Sequence, residues 1–196
     1  MTPDATPDRF QDLAALFSDM DRTWDRVASE YGFQCRGCED NCCFSLFFHH
    51  THVERAYLIS GFSELPRADR AEILAKAEDY CTRTFGPEDT AGAALEPASR
   101  KRPCPLLLDG RCRLYVYRPM ICRMHGLPHE LHKPGMPVIK GPGCDAGRFG
   151  EHAYVPFDRT PFYRRMAGIE MAYRDAAGVS GKVKETIAQI LLSTGR

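Results

Sequence analysis

The chain has 196 residues, enough for one domain, 1–196, with a sizeable core. Its 26 basic residues equal its 26 acidic ones, which excludes a global electrostatic pull towards nucleic acid or anionic lipid. No apolar run approaches the roughly 20 residues of a membrane-spanning helix.

Met1-Thr2-Pro3-Asp4 lacks the basic and apolar regions of a signal peptide, so the expected location is cytoplasmic. Thr6 can cap a helix with Pro7 at its first position. Phe10, Leu13, Leu16, Phe17, Met20, Trp24, Val27 and Tyr31 then recur at three- and four-residue steps. They predict an N-terminal helix over 6–31 that packs one face on the core and stops near Gly32. Phe44 to Phe48 is aromatic enough for a short buried strand. Thr51 and Glu54 have the spacing of a capping box, and the helix they open should stop at Gly61. Pro66 opens another helix that runs to about Thr84, where Gly86-Pro87 ends it.

Residues 86–103 read as a surface loop. Asp109-Gly110 lies between apolar residues, a strong hairpin signal. Leu114 to Tyr117 should continue its second arm as far as Pro119. Residues 126–150 are rich in Gly and Pro and predict irregular backbone. Thr160-Pro161 begins a helix to about Ala177, and Val183 to Leu192 forms a last one, so C-terminal helices occupy 160–193. The expected fold class is α+β, mainly helical, with helices packed around a cysteine-rich β-hairpin and loop metal site.

Nine cysteines are many for a reducing compartment, where clustered thiols point to metal or redox chemistry. Cys35, Cys38, Cys42 and Cys43 fall within nine positions of one another. Cys104, Cys112, Cys122 and Cys144 form a second set, which a hairpin can help to converge. Thiolates are soft ligands, so both zinc and an iron–sulfur cluster fit the residue type. Adjacent side chains on extended backbone point oppositely, so Cys42 and Cys43 suit two centres or two irons better than one ion. Cys81 lies on a predicted helix and reads as a small packing residue.

Seven basic residues lie between Arg100 and His125, namely Arg100, Lys101, Arg102, Arg111, Arg113, Arg118 and Arg123, against one acid, Asp109. Four thiolates around a divalent ion carry excess negative charge, which nearby guanidiniums offset. A nucleic-acid patch is the competing reading, but the basic excess is local and interleaved with cysteine. His49, His50 and His52 read as helix-entry or surface residues. His125, three after Cys122, is the histidine placed to add a ligand.

Cys35-x-x-Cys38-x-x-x-Cys42-Cys43, Cys104-Pro105-Leu106-Leu107, Cys112-x-x-Tyr115-x-x-Arg118-Pro119-x-x-Cys122-Arg123 and Gly143-Cys144 together resemble the YkgJ-type cysteine-cluster family, a zinc- or iron-chelating domain. The resemblance spans a core over 33–146. It implies a metal-binding protein whose eight cysteines hold an iron–sulfur cluster or zinc in a structural or redox role. The cluster is also similar to that of flagellin lysine N-methylases, although no S-adenosylmethionine loop is recognisable. Two further readings therefore remain. One is a cluster-dependent enzyme for methyl transfer or redox chemistry. The other is a zinc-stapled nucleic-acid or protein adaptor.

Overall fold

A computed structural model describes residues 8–35, 42–86 and 102–195. The expected cap at Thr6-Pro7 lies outside these residues. Asp8–Phe10 form a 3₁₀ turn that leads into α1, Gln11–Glu30. The apolar stripe is the reason for this helix: Phe10, Leu13, Leu16, Phe17, Met20 and Val27 are all buried. Gly32 ends it with φ +59°, which lets Phe33 N–H donate to Ala28 O at 2.9 Å.

Residues 44–48 do not form the expected strand. They are irregular, and only His49 bridges another segment, at Glu185. Thr51 caps α2, His52–Ser63, by accepting Glu54 N–H, while its hydroxyl donates to the Glu54 carboxylate at 2.6 Å. The helix runs through Gly61 instead of stopping there. The Tyr117 ring explains this glycine, because a Cβ at residue 61 would lie 2.3 Å from its Cγ. Close packing, not helix termination, requires glycine here. Helix α3, Arg67–Phe85, follows Pro66 as predicted and ends at Gly86.

The Asp109-Gly110 hairpin is present. Strands β1, Leu107–Leu108, and β2, Arg111–Cys112, pair antiparallel, and both turn residues have positive φ. The second arm is shorter than expected, because Tyr115–Tyr117 turn into a 3₁₀ helix. A short helix α4, Met120–Arg123, comes next. Residues 126–150 are more regular than their Gly and Pro content implied. They hold β3, His129–Leu131, and β4, Ile139–Gly141. With β5, Phe157–Asp158, these make a three-stranded sheet in the order β4-β3-β5, antiparallel then parallel. Helix α5 spans Thr160–Ala177, as the Thr-Pro signal indicated. Helix α6 is shorter than expected, Ile187–Leu192, because Thr186 and Gln189 form a capping box that starts it late.

The architecture is α+β and mainly helical. It divides into two compact units, each assembled from two separate stretches of chain. The first joins the residues before Cys42 to 120–181. Here α5 and β5 pack on α1, and Phe157 stacks on Phe162 at 5.4 Å. The second joins 42–119 to the segment from Lys182. Helix α6 packs on α3 and α2, and Ile190 and Leu191 complete a core with Leu58, Phe62, Ile73, Leu106 and Leu114. Each fully buried side chain of this kind contributes about 2 kcal/mol.

Two outcomes follow for the second unit. Tyr117 cannot yield easily, because its hydroxyl donates to Glu64 at 2.7 Å and its ring packs on Tyr57. Gly61→Ala should therefore cost about 1–3 kcal/mol in urea unfolding, despite alanine's better helix propensity. An unchanged or higher midpoint would contradict this packing. His49 is 3% exposed, and burial holds its imidazole down at about 4. The native state thus keeps His49 neutral where the unfolded chain protonates it. Stability should be complete above pH 6.5, the ordinary value, and fall by about 3 kcal/mol on approach to pH 4. His49→Phe should flatten that loss in acid titrations followed by circular dichroism.

Candidate functional site

In the second unit, two cysteine-bearing stretches about sixty residues apart in the chain meet through their backbones. Cys104 N–H donates to Cys43 O at 2.6 Å, tying the end of the early cysteine run to the start of the hairpin. Leu107 N–H donates to Cys104 O at 2.9 Å, and the β1–β2 register then sets Cys112 opposite Leu107. Cys104 and Cys112 both pack against the Leu58, Phe62, Ile73 and Leu106 core.

Charge confirms that these thiols feel one another. The Cys42 thiol is pushed well above its ordinary value, first by its hydrogen bond to Cys43, then by burial and by the charge of Cys43. The Arg118 guanidinium opposes that shift, so Arg118 faces Cys42. It also lies 3.7 Å from the centre of the Tyr115 ring. Burial pushes the Cys104 thiol up to about 12; Leu106 N–H pulls it down, and Cys112 and Cys42 push it further up. Cys42, Cys43, Cys104 and Cys112 therefore form one electrostatic group. Tyr80 of α3 borders it, its phenol raised by burial and then by Cys104 and Cys81. Cys81 is partly buried on α3, against Ala77, Tyr80 and Ala188.

The first unit holds Cys35, Cys122 and Cys144. Cys144 is buried, and its N–H donates to Gly126 O at 2.8 Å. Gly126, with φ +101°, is where two segments meet: a Cβ there would lie 3.9 Å from both Cys144 Sγ and Phe33 Cε1. Phe33 precedes Cys35 by two residues, and Gly126 follows Cys122 by four. Gly143, with φ +85°, faces Gly126 O and the Phe149 ring at under 3 Å from any added Cβ. Cys122 sits on α4, and Cys35 is exposed. Cys38 lies outside the described residues.

Cys42 and Cys43 share a compact unit with Cys104 and Cys112. No disulfide joins any two described cysteines. Among the described residues, no three side chains of His, Cys, Asp or Glu form a group able to hold a metal ion as they lie.

Other sequence candidates are committed elsewhere. Arg123 pairs with Asp21 at 2.5 Å and lies over Phe17, and Arg113 pairs with Asp69. His50 Nδ1 contacts Val183 O at 3.2 Å, and His52 opens α2. The His125 carbonyl accepts Trp24 Nε1–H at 2.9 Å, while its ring acts electrostatically on His129. Sequence reading missed Tyr80, which no spacing rule links to the cysteines. Comparison with protein-family models, curated proteins and solved structures finds no match to this chain.

Thiol reactivity should follow this environment. In reduced, metal-free protein at mildly alkaline pH, the exposed Cys35 should alkylate first with iodoacetamide. Cys104, three units above its ordinary 9.0, holds about a thousandfold less thiolate and should react among the last. Peptide mass spectrometry reads the order, and equal rates at Cys35 and Cys104 would contradict the burial.

Proposed function

We propose that this chain is a metal-binding protein of the YkgJ type, holding zinc or an iron–sulfur cluster through its thiolates in a structural or redox role. The single observation that carries the reading is the backbone hydrogen bond that ties Cys104 to Cys43 across about sixty residues, with the Cys112 and Cys42 thiols acting on that of Cys104. The Cys42 and Cys104 thiols are both held well above their ordinary value, so both resist ionising alone. A cation removes that resistance by replacing the protons, and its charge stabilises all the thiolates at once.

The donor set fits such a group by chemistry rather than by preset geometry. Metal entry requires the side chains to turn towards a common centre. That turn becomes favourable once the thiols ionise, since thiolates cannot stay packed as apolar groups. Arg118 stands beside Cys42 to offset the negative charge that a thiolate-rich centre retains. In the first unit, Cys35, Cys122 and Cys144 supply a second donor set, with Cys38, three positions after Cys35, proposed as its fourth member. On this reading the adjacent pair Cys42-Cys43 and the pair Cys35-x-x-Cys38 belong to different sets.

Anaerobic purification with elemental analysis tests this. A brown protein with broad visible absorption carries iron and sulfide, whereas a colourless one carries zinc. Cys42→Ser and Cys104→Ser should each remove about half of the bound metal and lower stability by about 3 kcal/mol or more. Cys122→Ser should remove the other share, and Cys81→Ser should leave metal content unchanged. Full metal content in Cys42→Ser, Cys104→Ser and Cys122→Ser alike would overturn the ligand assignment.

A further inference from the structure

The first unit contains a buried cation with no counter-ion among the described residues. Arg159 lies between β5 and α5, where its backbone N–H donates to Glu130 O at 2.9 Å. Its side chain is drawn inward, leaving the residue 9% exposed. Nη2 donates to the Met124 carbonyl at 2.7 Å, while Nε is buried with no partner. Burial holds its guanidinium down at about 10, and the opposing group is the phenol of Tyr163, not a carboxylate.

The nearby acids are engaged elsewhere. Glu130 takes Lys140 Nζ at 3.0 Å, the Tyr154 hydroxyl at 3.2 Å and His132 Nε2 at 3.1 Å. Asp158 Oδ1 accepts Thr160 N–H at 2.9 Å. Besides the Tyr163 phenol, the group that Arg159 acts on is a base, His129. His129 is held below its ordinary value by burial, then by the charges of Arg159 and His125. Its Nδ1 reaches Leu127 O at 3.3 Å, and its ring lies flat against Gly141, where a Cβ would come within 2.1 Å. His129 is partly exposed and Tyr163 is 37% exposed, so the surroundings of Arg159 are not wholly sealed from solvent.

We propose that Arg159, with His129 on the strand paired to β5, forms a binding site for a small oxyanion, a carboxylate or a phosphate group. A buried guanidinium is strongly unfavourable without a negative partner, and its planar donors suit both anions. A single negative charge balances Arg159 alone; a phosphate dianion would also draw a proton onto His129. The competing account is a guanidinium that only clamps the Met124 carbonyl. That role needs one donor and leaves the buried Nε unexplained. The site uses no cysteine, so it stands or falls independently of metal content.

The test uses the full chain labelled with ¹⁵N. Inorganic phosphate, acetate and chloride are titrated separately at matched ionic strength. The Arg159 Nε–H signal, assigned by its absence in Arg159→Lys, is followed. Phosphate or acetate should move it saturably in the millimolar range, at least about tenfold more tightly than chloride. A response to phosphate alone assigns a phosphoryl ligand, and a response to acetate alone assigns a carboxylate. Arg159→Met should abolish the thermal stabilisation that the effective anion gives, while Arg159→Lys should keep part of it. An Nε–H signal that no anion moves, or that chloride moves equally, overturns the proposal; this reading needs only the native chain, so a poorly folding variant does not weaken it.

Discussion

The backbone hydrogen bond from Cys104 to the Cys43 carbonyl is the constraint around which the second unit is organised. It joins a cysteine run to a hairpin about sixty residues further on, and ring closure over that span is entropically costly. A lone hydrogen bond offsets only about 1 kcal/mol of such a cost. Burial of the Leu106 and Leu114 core supplies the further stabilisation. Helices α2, α3 and α6 supply the wall against which the hairpin closes.

The first unit solves a similar problem with glycine. Gly126 and Gly143 allow the backbone near Cys144 to come within hydrogen-bonding distance of the loop after α4. Aromatic contacts then hold the Cys35 side of the site: Trp24 on Phe33 at 6.0 Å, and Phe33 on Phe149 at 5.1 Å. Arg123, which chain order places beside Cys122, instead anchors α4 to α1 through Asp21 and the Phe17 ring. The basic residues interleaved with cysteine thus divide by role. Arg118 faces sulfur, while Arg113 and Arg123 fasten elements together.

Local chemistry was legible in the sequence wherever a single interaction within a few residues decides the outcome. The Thr51 cap, the Asp109-Gly110 turn, the Pro66 and Thr160-Pro161 helix starts and the stripe of α1 are of this kind. Gly61 was misread because its reason lies in Tyr117, far along the chain. The three-stranded sheet stayed hidden because its strands are two or three residues long, too short for alternation to register. The cysteines were visible as a class, but the hydrogen bond that joins Cys104 to Cys43 was not, because it links positions about sixty residues apart. Arg159 carried no signal at all, since an unpaired buried charge is a property of three-dimensional surroundings.

The central claim is that a metal, not burial alone, completes the thiol group at Cys42, Cys43, Cys104 and Cys112. Native mass spectrometry of anaerobically purified protein, compared with the same sample after acid denaturation, tests it most directly. The account predicts a native mass in excess of the chain by zinc or by iron with sulfide, lost on denaturation. A folded protein whose native mass equals that of the bare chain, with every thiol titratable, would contradict it.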